Sequence, residues 1–130
     1  MALILLVDDD TSMRHFLGTA LVRAGHEVEQ CENGRAALTH LQEGKHNGYD
    51  LLLTDIVMPE MDGIELSQKV STLYPDMKIM FMTGFSAVMM DRKELRDNLQ
   101  VMAKPFHLKD LVRNIENVLG ETKPNEEQVD

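Results

Sequence analysis

Residues 3–10 read Leu-Ile-Leu-Leu-Val-Asp-Asp-Asp, five consecutive apolar side chains that run straight into three carboxylates. A strand with one wet face would alternate. An unbroken run this short predicts a strand covered on both faces, as in a parallel sheet. Similar runs recur at Leu51 to Thr54, ending at Asp55, at Lys78 to Met82, ending at Thr83, and at Leu99 to Ala103, ending at Lys104 and Pro105. Glu27 to Cys31 reads as a further strand, second in chain order.

Helical patterns separate these runs. Met13, Phe16, Leu17, Ala20 and Leu21 follow the spacing of a helix face, with Gly25 placed to end the helix. Asn33 to Glu43 predicts a helix burying Ala37, Leu38 and Leu41. Leu66, Val70, Leu73 and Tyr74 mark another, stopped by Pro75, after a loop that contains Pro59 and Gly63. Between Gly84 and Asn98 the pattern is weak, with one short helix expected near Asp91 to Arg96. The last helix is expected to bury Leu108, Leu111, Val112, Ile115 and Leu119 and to end at Gly120. Strands alternating with helices predict an α/β fold with right-handed crossovers. The specific expectation is a flavodoxin-like, doubly wound, five-stranded parallel sheet in the order 2-1-3-4-5 with helices on both faces. Residues 1–120 would form the domain and 121–130 a polar, disordered tail.

A chain of 130 residues with 43% hydrophobic residues suits one domain with its own core. No stretch approaches the ~18 apolar residues of a membrane span, and no secretory signal is recognisable. Cys31 is the single cysteine, which excludes a disulfide framework. A cytoplasmic setting is expected. The net charge of -9 argues against direct binding to nucleic acid and favours a cation site or a basic partner.

In a sheet of this kind ligands bind beyond the carboxyl ends of the strands. That edge would gather Asp8, Asp9, Asp55, Thr83 and Lys104. Taken singly, each has an ordinary explanation; together at four strand ends they predict a site. Carboxylates 4 Å apart repel by roughly 4 kcal/mol at an effective dielectric near 20, so the cluster needs a cation, a proton or both. Lys104 supplies one positive charge, and an all-oxygen donor set suits magnesium. Asp55 could then act as a nucleophile toward phosphorus, with Thr83 and Lys104 on the phosphoryl oxygens. Asp10 is expected to cap the first helix, the histidines to be solvated or capping, and the ten methionines to fill core gaps.

Leu-Val-Asp-Asp at 6–9, Asp-Ile-Val-Met-Pro-Glu-Met-Asp-Gly at 55–63, Thr-Gly at 83–84 and Lys-Pro-Phe at 104–106 resemble the response-regulator receiver domains of two-component signalling. The resemblance implies that Asp55 is the phosphoacceptor, Asp9 a direct magnesium ligand and Asp8 a water-mediated one. It also implies that the Val57 backbone carbonyl completes the protein ligands, that Thr83 and Lys104 bind the phosphoryl group, and that the Lys104–Pro105 bond is cis. The expected donor is a histidine kinase or phosphotransferase, and the expected output is a changed affinity for a downstream protein. Such a chain is a switch that catalyses its own phosphorylation and dephosphorylation rather than an enzyme with a separate substrate. The stretches at 51–66, 81–88 and 104–108 are similar to a single-domain branch of the family that serves the ClpXP protease as an adaptor. That likeness implies control of cell-cycle proteolysis.

Val101 stands where many receivers carry a switching aromatic residue. Val57 and Phe85, both unable to hydrogen-bond an attacking water, imply slow autodephosphorylation, and Phe85 is expected to lead a signal carried by residues 83–112. Two other readings compete. Asp8-Asp9-Asp10, Thr83 and Lys104 could instead form a haloacid-dehalogenase-like phosphatase with Asp8 as nucleophile and Asp10 as general acid. A pseudo-receiver that binds a partner without phosphate would keep the fold alone.

Overall fold

A computed structural model describes residues 2–43, 49–83, 101–103 and 108–120. The order of elements is β1 (Leu3–Val7), α1 (Thr11–Arg23), β2 (Glu27–Cys31), α2 (Gly34–Glu43), β3 (Leu51–Asp55), α3 (Gly63–Leu73), β4 (Lys78–Thr83), β5 (Val101–Ala103) and α4 (Leu108–Gly120). The sheet is parallel and five-stranded in the order β2-β1-β3-β4-β5, as the sequence predicts. The expected helix near Asp91 to Arg96, the start of the fifth strand at Leu99, and the tail at 121–130 lie outside the described residues.

Alternation along the central strands builds two cores. Ile4, Leu6, Leu51, Leu53, Met80 and Met82 face α1 and α4. Leu5, Val7 and Leu52 face α2 and α3 with Ala37, Leu41, Leu66 and Val70. Both faces of β1 and β3 are thereby dry, which is why Leu3 to Val7 and Leu51 to Leu53 are continuously apolar. β2 lies at the sheet edge, and its pattern is accordingly polar: Glu27 and Gln30 are exposed while Cys31 is buried.

Several expected helix faces are rotated. On α1 the buried residues are Arg14, Leu17, Gly18 and Leu21, whereas Phe16 is 57% exposed. A Cβ at Gly18 would meet only the far end of the flexible, exposed Gln30 side chain of β2. On α3 Leu73 is half exposed and Ile64 is buried, and on α4 Val118 joins Leu111 and Ile115 while Val112 and Leu119 are only partly covered. Asp10 caps α1 by accepting from the Met13 N–H at 3.0 Å. Asn33 accepts from the Ala36 N–H at 2.7 Å, so α2 starts one residue later than its polar leader suggests. Gly25 follows the α1 cap at φ 100, a left-handed conformation suited to glycine.

Candidate functional site

Asp8 is the first residue beyond β1, and Asp55 is the last residue of β3. β1 and β3 are hydrogen-bonded neighbours, with Val7 opposite Thr54, so both acids arrive at the same sheet edge. One carboxylate oxygen from each of Asp8, Asp9 and Asp55 lies within 4.8 Å of the others. Asp8 is fully buried and Asp55 is 8% exposed, while Asp9 faces solvent. Two of the acids are buried and the third reaches solvent, so the cluster offers oxygen ligands at the protein surface.

The surrounding backbone is tightly held. The Asp8 N–H donates to the Cys31 carbonyl at 3.2 Å. Asp8 Oδ1 accepts from the Asp10 N–H at 2.9 Å, a local turn that fixes the acidic run. Below Asp55, the Thr54 hydroxyl donates to the Asp55 carbonyl at 2.9 Å. The Ile56 N–H continues the β3–β4 ladder to the Met82 carbonyl, and the Gly63 N–H closes the β3–α3 loop onto the Ile56 carbonyl at 2.8 Å. Gly63 is required by close packing: a Cβ there would overlap the Asp55 carbonyl oxygen. Asp62 caps α3 through the Glu65 N–H at 2.8 Å.

The structure thus brings Asp8, Asp9 and Asp55 together. Val57 is 44% exposed, beyond β3 in the loop that leads to α3. Thr83 ends β4 opposite Ala103 of β5, but its side chain lies outside the described residues, as do Lys104, Pro105 and Phe85. Asp10 is exposed and committed to the α1 cap, outside the carboxylate cluster, which weakens the phosphatase reading that needs it as an acid.

Arg14 escaped the sequence reading. It is buried, and its guanidinium donates to the Asp8 carbonyl at 2.7 Å. The signal was present, since Arg14, Leu17 and Leu21 share the i, i+3, i+7 spacing of the buried face. His26 is a second correction: it is neither solvated nor capping but buried, with Nδ1 accepting from the Ala2 N–H at 3.1 Å. Burial first, then the positive N-terminus, lowers its pKa against a raising contribution from Glu116. Burial also raises the Cys31 thiol to about 11 and the Tyr49 phenol to about 12.

Among the described residues no helix is long and apolar enough to cross a membrane. Residues 4–116 match the family described as "Response regulator receiver domain". The chain is 52% identical to the response regulator receiver protein CpdR of Brucella abortus over 121 residues, 92% of this chain and 98% of that protein. It is 34% identical to the DNA-binding transcriptional regulator NtrC of Azospirillum brasilense over 95% of its own length but only 25% of that longer protein. The response regulator TrrA of Thermotoga maritima, solved in complex with Mg2+ and BeF, superimposes with a TM-score of 0.79 at 30% identity, covering 91% of this chain and 99% of that one. The carboxylate-lined end of a 2-1-3-4-5 sheet, the family match and a full-length relative agree: this chain belongs to the response-regulator receiver-domain family.

Proposed function

We propose that this chain is a phosphoacceptor switch in which Asp55 takes a phosphoryl group in a magnesium-dependent reaction. The observation that carries the reading is the convergence of Asp8, Asp9 and Asp55 within 4.8 Å, two of them buried. Three like charges so placed invite a hard divalent cation, and their all-oxygen chemistry suits magnesium. Asp8 and Asp9 would hold it with Asp55 and the Val57 carbonyl. The ion, when bound, screens Asp55 and the incoming phosphoryl oxygens.

The chain's own residues do the rest. An Asp55 carboxylate oxygen forms a bond to phosphorus as the P–N bond of a phosphohistidine donor breaks and the imidazole leaves. The Thr54 hydroxyl and the ladder bond of Ile56 hold the Asp55 backbone while this happens. Thr83 and Lys104 are assigned to the phosphoryl oxygens, Thr83 because β4 delivers it to the same edge. Neither acid–base catalysis nor a second protein nucleophile is needed, since position and charge stabilise the transition state. The BeF complex of TrrA shows that a structurally similar protein accepts magnesium with a phosphoryl mimic.

The donor is proposed to be a histidine kinase or phosphotransferase in the cytoplasm, and residues 1–120 the functional unit. The 52% identity to CpdR supports an output through a protein partner, with ClpXP-dependent proteolysis as the specific candidate. Treatment with acetyl phosphate and magnesium should add one phosphate by mass spectrometry. The label should vanish in Asp55→Asn and in chelator. Labelling that persists in that variant, or that maps to Asp8, would return the reading to the phosphatase alternative.

A further inference from the structure

Arg14 is the one lysine or arginine that is buried among the described residues whose side chains are placed, and it stands at the edge of the acidic cluster. It lies in the first turns of α1, and helical side chains lean toward the N-terminus of their helix, here toward β1 and the site. Its guanidinium donates to the Asp8 carbonyl at 2.7 Å, while the Asp8 carboxylate itself accepts from the Asp10 N–H. β1 ends at Val7, so the Asp8 carbonyl needs a donor from elsewhere. Satisfying a carbonyl explains a donor but not a charge, because a glutamine would serve. A guanidinium cannot shed its proton, and burying it without compensation is unfavourable. Asp8 and Asp55 are the buried acidic residues among the described ones. The guanidinium is hydrogen-bonded to the very residue that supplies one carboxylate of the cluster, which places its charge beside that cluster.

We propose that Arg14 is a positioning residue whose buried charge balances the Asp8–Asp9–Asp55 cluster and sets its affinity for a divalent cation. The inference rests on the site being the cation site described above. The hydrogen bond holds the Asp8–Asp9 peptide so that both carboxylates stay directed at Asp55 before any cation arrives. The charge offsets their mutual repulsion in that state and opposes an incoming cation, so it loosens binding to a reversible range.

Calorimetric titration of magnesium into the full chain tests this, since a tryptophan reporter is absent. Arg14→Gln keeps a donor and removes the charge; it should bind magnesium roughly five-fold more tightly, by removal of one nearby like charge. Arg14→Lys keeps the charge and should stay within about two-fold of the parent. If Arg14→Gln is unfolded without cation, magnesium should restore the fold. The proposal is overturned if Arg14→Gln binds equally or more weakly, if it stays unfolded at saturating magnesium, or if Arg14→Lys tightens as much as Arg14→Gln. A purely structural arginine would give one of those results. If the parent chain binds no magnesium, the cation-site reading itself fails, and this inference with it.

Discussion

The two ends of β1 bury polar groups in opposite ways. At its carboxyl end Asp8 is fully buried with a carboxylate oxygen within 4.8 Å of those of Asp9 and Asp55, and its carbonyl accepts from the Arg14 guanidinium, so acidic side chains gather there. At its amino end His26 is buried with Nδ1 on the Ala2 N–H, and among the described residues its Nε2 has no hydrogen-bond partner. There burial disfavours the charged form and the imidazole stays neutral. One end gathers acidic side chains, the arrangement proposed above to hold a cation. The other end only anchors the chain start, where the Glu27 N–H also meets the Ala2 carbonyl at 2.8 Å. A buried polar group is therefore no sign of function by itself; several acidic side chains gathered at one sheet edge are the stronger one.

The largest expected effect breaks the carboxyl end by sterics. Gly63→Ala forces a Cβ into the Asp55 carbonyl, which is backbone and cannot rotate away. Destabilisation of about 3 kcal/mol is expected, at the upper range for overpacking, together with weakened magnesium binding. Urea denaturation and calorimetry would read both, and an unperturbed variant would show that the β3–α3 loop is not what holds Asp55.

Next, Asp8→Asn should stabilise the cation-free protein by roughly 1–2 kcal/mol, because it removes one of three crowded charges while its side-chain oxygen can still accept from the Asp10 N–H. Its stability should then respond little to magnesium. A loss of stability instead would mean that the cluster is not repulsive, and the contrast between the two ends would collapse.

The amino end predicts a pH dependence. His26 has a folded pKa below its ordinary 6.5, so between those values the unfolded chain binds more protons than the folded one. Stability is complete above pH 6.5 and declines as the pH falls through the window toward the folded pKa. His26→Asn, whose carbonyl can accept from Ala2, should flatten that decline in thermal melts. Cys31 works in the other direction, with stability lost as the pH rises from 9 toward about 11, and Cys31→Ala should soften that limb.

The smallest effect is local. Glu60 has φ 70, a left-handed conformation that is unfavourable for a residue with a Cβ by roughly 1 kcal/mol. Its contact with Arg35 at 3.7 Å joins two side chains that are 77% and 70% exposed, and such pairs contribute little. Glu60→Gly should raise stability by about 0.5 kcal/mol, after the entropy of the freer unfolded chain is counted, without altering magnesium affinity. A change in that affinity would tie the loop strain to the site.

The sequence by itself determined the strands, their order and the acids at their ends. Short apolar runs alternating with helical patterns suit strands buried on both faces, and the parallel topology that follows sends Asp8, Asp9 and Asp55 to one edge. Asp10 as a cap was legible for the same reason, because capping is decided within a few residues. Only the tertiary structure decided that Arg14 is inside and Phe16 outside, that His26 is buried, and that Gly63 must lack a side chain. Each depends on how one element meets another: α1 on the end of β1 at Arg14, the chain start on the β2 entry at His26, and α3 on β3 at Gly63. Hydrophobic periodicity defines a stripe on a helix but not its rotation against the sheet, and a charged side chain on that stripe is read as solvated until its counter-charges are seen in space.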